Sequence, residues 1–172
     1  MEKRRTRSTI RIEMLCEQNH FSPTVVYWKS KKILGRYRDI RNLPAINLRT
    51  EEEITDNTIK LIRQKFKKSF VDKKCAYTGS LDYILNDMLS LEYADDVIEE
   101  VFERMAAMNF EVDEYRPLIE YNFLYPDEIS DVEIMEEIGM SKTSYYRKKK
   151  DAINLFGIVL WNTMLERSSI TV

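Results

Sequence analysis

Residues Ser130–Leu165 read SDVEIMEEIGMSKTSYYRKKKDAINLFGIVLWNTML. Ser130 is a good N-cap, and Glu133 follows three residues later, which predicts a capping box. The helix it starts is short, with Val132, Ile134, Met135 and Ile138 as its apolar side. Gly139 ends it, where the chain needs a left-handed residue. Ser141 caps a second helix that opens with Lys142, Thr143, Ser144, Arg147, Lys148, Lys149 and Lys150. A short helix, a turn containing glycine and a helix with a basic first half make a helix-turn-helix signature.

Working outward, the chain has 172 residues, enough for one or two small domains with a real core. A hydrophobic fraction of 44% with 33% charged residues marks a soluble globular chain rather than a disordered one. With only 4 Gly and 4 Pro, long runs have no breakers, which favours helices. No strand signal stands out, and the expected class is all-α. No apolar run is long enough to span a bilayer, so no membrane partner is expected. The start, MEKRRTRSTIRIEML, lacks an apolar signal region. Cys16 and Cys75 stand apart and read as reduced thiols, giving a cytoplasmic expectation. His20 is the single histidine. A metal site or a histidine-based triad therefore has little to build on, and neither a cofactor nor an enzymatic activity is expected.

The first twenty residues are ambiguous: Ile10, Ile12, Met14 and Leu15 suit a strand or a helix, and the residues before Ser8 read as a flexible basic arm. Ser22-Pro23 reads as N-cap and first position of a helix running to about Leu43, where Pro44 stops it. Residues 45–49 form a linker. Thr50 and Glu53 predict another capping box, with a helix to Phe70 and then a loop over 71–79. Ser80 caps a clean amphipathic helix carrying Leu81, Ile84, Leu85, Met88 and Leu89. Asp95-Asp96 opens the next helix, with Val97, Val101, Phe102, Met105 and Met108. Asp113 begins a mostly buried helix with Pro117 in its first turn, where proline is tolerated.

Charge divides the chain into three. Residues 1–49 carry a net +8, residues 50–140 a net −14 and residues 141–172 a net +4. The corresponding units are a basic N-terminal arm and helix (1–49), an acidic helical middle suited to a partner or to oligomerisation (50–112), and a helix-turn-helix unit (113–172). Two basic ends around an acidic middle offer two surfaces that can meet phosphate. Solvated helices with uneven charge explain the N-terminal segment equally well. Its Trp28 and Tyr37 read as core, which leaves the Lys29–Arg41 face as a second candidate DNA contact. The acidic groups at 51–53, 95–100 and 133–137 fall mostly in first turns of helices, where capping and dipole effects account for them. Trp161 and the methionines read as core or as a dimer contact.

The last helix separates by faces. Tyr145, Lys149, Ala152, Phe156 and Leu160 form the stripe expected to pack on the preceding helices. Thr143, Ser144, Arg147 and Lys148 are expected to face away. Arg147 suits a bidentate contact to guanine, and Lys148 a similar single-point contact. Lys142, Tyr146 and Lys150 sit at the edges and suit phosphate, as do Ser141 and the free amides at the helix start. The helix continues past these turns to Leu165, which is more than groove reading needs. Its far end is expected to pack on the N-terminal helices or on a second copy.

Residues of about 115–160 resemble the helix-turn-helix of sigma-70 region 4, in the form found in ArpU-type phage transcriptional regulators. The resemblance rests on YRPLIEYNFL, SDVEIMEEIGMS and TSYYRKKKDAI, above all on the Tyr145-Tyr146 pair followed by basic residues and Ala152. It implies a phage or mobile-element regulator that binds double-stranded DNA and activates late or packaging genes, with bacterial RNA polymerase as a partner. The basic N-terminal segment is longer than this family pattern. Two alternatives stand beside it: a small-terminase-like DNA-packaging recognition subunit, and a protein-interaction adaptor that has lost DNA binding.

Overall fold

A computed structural model describes residues 5–42, 91–108, 110 and 112–170. All regular structure among them is helical, with no strand. The linker at 45–49, the helices expected after Thr50 and Ser80, the intervening loop and Cys75 lie outside the described residues. The helices are α1 (Arg7–Gln18), α2 (Pro23–Asn42), α3 (Leu91–Ala107), α4 (Val112–Ile119), α5 (Asp131–Glu137) and α6 (Lys142–Ile170). A π-helical turn over Glu120–Leu124 prolongs α4.

The fold is organised around α6. Its 29 residues extend about 44 Å at the usual rise. From Ala152 to Leu165 it carries no charged side chain. A helix that is apolar all round belongs inside, and residues 151–156 and 158–160 are buried on every side. α1, α2, α3 and α4 all pack against it. The expected single apolar stripe is thus only part of the buried surface. The far end meets the N-terminal helices, with Trp161 edge-on to Phe21 at 5.2 Å. Ile12, Ile33 and Leu34 join Val97, Val101, Met105, Leu118, Ile134 and Phe156 in one core, so residues from all three charge segments share it.

Several boundaries differ from the sequence reading. Residues before Ser8 are not all a free arm: Thr6 caps α1, its side chain accepting from the Thr9 N–H, and Arg5 pairs with Glu13 at 3.2 Å. Ile10, Ile12, Met14 and Leu15 are helical, with Ile12 and Cys16 buried and Ile10 and Met14 exposed. α2 begins at Pro23, as its Ser22-Pro23 start predicts. Among the described residues α3 reaches back to Leu91, ahead of Asp95-Asp96. Asp costs a helix interior only a few tenths of a kcal/mol, about 0.7 at most, and burial of Ala94 and Val97 outweighs it. Pro117 lies in the interior of α4, not its first turn. There it removes a backbone donor and crowds the preceding turn. The helix widens just beyond, and the Tyr125 N–H bonds to the Glu120 carbonyl at 3.0 Å.

α1 ends in a Schellman motif with His20 as its left-handed residue at φ 62°. The Phe21 N–H reaches the Cys16 carbonyl at 2.9 Å and the His20 N–H reaches Glu17 at 2.9 Å. Glycine holds such a position without a Cβ clash, at some cost in unfolded-chain entropy. His20→Gly is therefore expected to stabilise the fold by about 0.5–1 kcal/mol. A urea titration that finds no gain would count against this reading of the turn.

Candidate nucleic-acid interface

The segment from Ser130 to Lys150 is held by local bonds that its sequence announces. Ser130 Oγ accepts from the Glu133 N–H at 3.3 Å, and the Ser130 N–H donates to Glu133 Oε2 at 2.9 Å. The Ser130 hydroxyl, which also donates to Glu133 Oε2 at 2.7 Å, and then the Ser130 N–H hold the Glu133 carboxyl below the usual range. α5 ends at Gly139, φ 63°, with the Met140 N–H on the Met135 carbonyl at 2.9 Å and the Gly139 N–H on Glu136 at 3.2 Å. That is a second Schellman motif. The Ser144 N–H reaches back to Ser141 Oγ at 3.4 Å, a long cap bond, while the Tyr145 N–H meets the Ser141 carbonyl at 2.9 Å.

Beneath the first turns of α6 lies a polar cluster that sequence reading missed. Tyr145 is fully buried, and its hydroxyl donates to Asp131 Oδ1 at 2.6 Å, with Asn122 Oδ1 at 3.1 Å as a second acceptor. Lys149 Nζ donates to the same Asp131 oxygen at 2.8 Å and stands 3.3 Å from the Tyr145 hydroxyl. Asn122 Nδ2 donates to the Leu118 carbonyl at 2.7 Å, which ties the cluster to the π turn. Burial pushes the Asp131 carboxyl up, but Lys149, Tyr145 and Tyr146 overrule it and hold it below the usual range. Burial, then the Asp131 carboxylate, pushes the Tyr145 hydroxyl well above the ordinary phenol range. A tyrosine and a lysine four apart on α6, with Asp131 opening α5, were the available signal.

The expected division of the basic residues changes. Lys148 does not face away: its side chain is 15% exposed and paired with Glu114 of α4. Ser144 and Arg147 are half-buried. Arg147 Nε is enclosed without a hydrogen-bond partner among the described residues, and the guanidinium's charge acts on buried Asp151. Asp151 Oδ2 accepts from the Thr9 hydroxyl at 2.7 Å, so α1 covers this flank. Burial raises the Asp151 carboxyl above its ordinary value despite Thr9 and the nearby cations. The physical reason for the change is that α4 and α1 enclose α6 from two further sides. What remains outward is Lys142, Tyr146 and Lys150 at i, i+4 and i+8, with Thr143 beside them and Ser141 ahead. Tyr146 is 46% exposed. The residues expected at the edges are the centre of the free face.

The neighbouring charges have other tasks. α5 exposes Val132, Glu133, Glu136 and Glu137. In α3, Glu99 takes a bidentate contact from Arg116 at 2.8 and 3.0 Å, and Glu100 pairs with Arg104 at 2.8 Å. Glu99 and Glu100 are thus engaged in structure, as is Asp95, which accepts from the Tyr37 hydroxyl. Among the described residues no group of three or more His, Cys, Asp or Glu is placed to hold a metal. None of their helices is long and apolar enough to cross a membrane. Cys16 is a free, fully buried thiol that burial pushes up to about 11, so it is a poor nucleophile at neutral pH.

No known protein family, curated protein or solved structure matches the chain.

Proposed function

We propose that this chain is a sequence-specific double-stranded DNA-binding protein that uses α5 and α6 as a helix-turn-helix and acts as a transcriptional regulator. The observation that carries the reading is the free face of Ser141, Lys142, Thr143, Tyr146 and Lys150 at the start of a helix whose other sides are fixed. An exposed helix N-terminus with lysines one turn apart is suited to phosphate. A rigid support beneath it is what groove reading needs. In this reading Thr143 and Tyr146 meet base edges, and Arg147 assists only from the flank. The likeness of residues of about 115–160 to ArpU-type regulators supports a phage or mobile-element origin and an activating role with RNA polymerase. In that reading the acidic outer face of α5 suits a basic protein surface better than DNA.

The test begins with selection of a preferred site from randomised duplex DNA, followed by binding across a salt series from about 50 to 200 mM. The Lys142→Ala/Lys150→Ala double variant is expected to weaken binding to every sequence and to lower the salt slope by about 2. Thermal stability should be unchanged, since both lysines are exposed. A parent protein with no salt-sensitive duplex binding would sink the proposal. It would favour an adaptor acting through the acidic α5 face. A ring-sized mass in solution would instead favour a DNA-packaging recognition subunit.

A further inference from the structure

We infer that α2 carries a second, backbone-gripping arm of the DNA interface, centred on Trp28, which packs against deoxyribose while Lys31 and Lys32 meet the flanking phosphates of the same duplex. The inference rests on the DNA-binding reading of α6. Trp28 was expected in the core, but it is 55% exposed. Its indole is held in place from one side: Tyr27 stands edge-on at 5.3 Å, and Lys31 Nζ lies 5.5 Å from the ring centroid. Thr24, Trp28, Lys31, Lys32 and Gly35 occur at i, i+4, i+7, i+8 and i+11, so they share one helix face.

Gly35 supplies an independent argument. A glycine within a helix costs about 1 kcal/mol relative to alanine. Tight packing explains this elsewhere, as at Gly157. Here no described atom lies within 4 Å of where a Cβ would stand. No described residue requires this glycine, and close approach of a partner's backbone is the other use of a missing side chain. The charge of the face selects a polyanion as that partner.

The arm also connects to the α6 face. Tyr27 packs against the core, and after burial the Asp131 carboxylate is what raises its hydroxyl. The same carboxylate raises the Tyr146 hydroxyl. α2 packs on both α6 and the π turn that the Tyr145–Asn122 bond ties to it, so the two faces stand on neighbouring elements.

The experiment measures binding of the full chain to its selected duplex, to a random duplex of equal length and to a single-stranded oligonucleotide. Trp28→Ala should weaken both duplexes by about tenfold, the size expected when one aromatic contact is lost. Gly35→Ala should weaken them while leaving thermal stability equal or higher, which separates blocked approach from misfolding. DNA should quench part of the parent's tryptophan emission and leave that of Trp28→Phe less affected. If both variants bind like the parent while Lys142→Ala/Lys150→Ala is weakened, the α2 arm is wrong and the α6 reading stands. A loss seen only with single-stranded DNA also overturns the duplex assignment. If the parent binds no DNA, both fall together.

Discussion

Gly157→Ala is expected to lower stability by about 3 kcal/mol, the upper range for overpacking a close-packed interior. Gly157 sits within α6 where α2 crosses it. A Cβ there would stand 1.9 Å from Ser30 Oγ and 2.9 Å from a Val26 methyl carbon. Ser30 cannot simply turn aside, because its hydroxyl is buried and donates to the Val26 carbonyl at 2.7 Å. Alanine would gain about 1 kcal/mol in helix propensity, so a net loss isolates the packing. Ser30→Ala removes the worst contact, and the double variant should recover part of the stability. The coupling in that cycle should exceed about 1 kcal/mol, since the two positions touch. A urea midpoint for Gly157→Ala at or above the parent's would show that α2 and α6 do not approach in this way.

Gly157 also shows what sequence can reveal about such a fold. The local devices were legible. Ser130 with Glu133, Gly139 and Ser22-Pro23 specify their turns through neighbours three to six residues away. The buried nature of α6 had a visible signal as well, in the absence of charge from Ala152 to Leu165. Reading that stretch as one stripe understated it. The partners of long cationic side chains were not legible. Lys148 meets Glu114 across 34 positions, and nothing local distinguishes it from Lys150, which stays in solvent. Pro117 had two permitted places, in a first turn or beside an irregular one, and only packing of α4 on α6 selects the second. Trp28 belongs to the same class: its apolar area argues for burial, and the face it occupies is set by the other residues of α2. For the proposed interface, sequence offered the segment and the residue types, while the division between outward and inward lysines depended on how many helices surround α6.

Asp131→Ala is expected to cost about 2 kcal/mol, the scale for removing a charged acceptor from a partly enclosed pair. The carboxylate is the shared acceptor for Tyr145 and Lys149. Without it Lys149 keeps a charge whose side chain is only 16% exposed. Tyr145→Phe should cost less, about 1 kcal/mol, because it removes a donor and leaves the ion pair intact. The pH dependence distinguishes these roles. The Asp131 carboxyl is held below its ordinary value, so its contribution is present above about pH 4 and fades as pH falls through the folded value. The Tyr145 hydroxyl is raised, so its contribution is present below about pH 10 and fades as pH rises through the folded value. Urea titrations from acid to alkaline pH should therefore show Asp131→Asn with a shallower acid limb than the parent. Tyr145→Phe should flatten the alkaline limb instead. The same cluster fixes the first turns of α6 to α5, so if α6 binds DNA as proposed, Asp131→Asn should also weaken that binding at neutral pH, with a salt slope equal to the parent's because no phosphate contact is lost. A lowered slope would place Asp131's effect on the exposed lysines rather than on their support. An unchanged acid limb would remove the carboxylate from the network altogether.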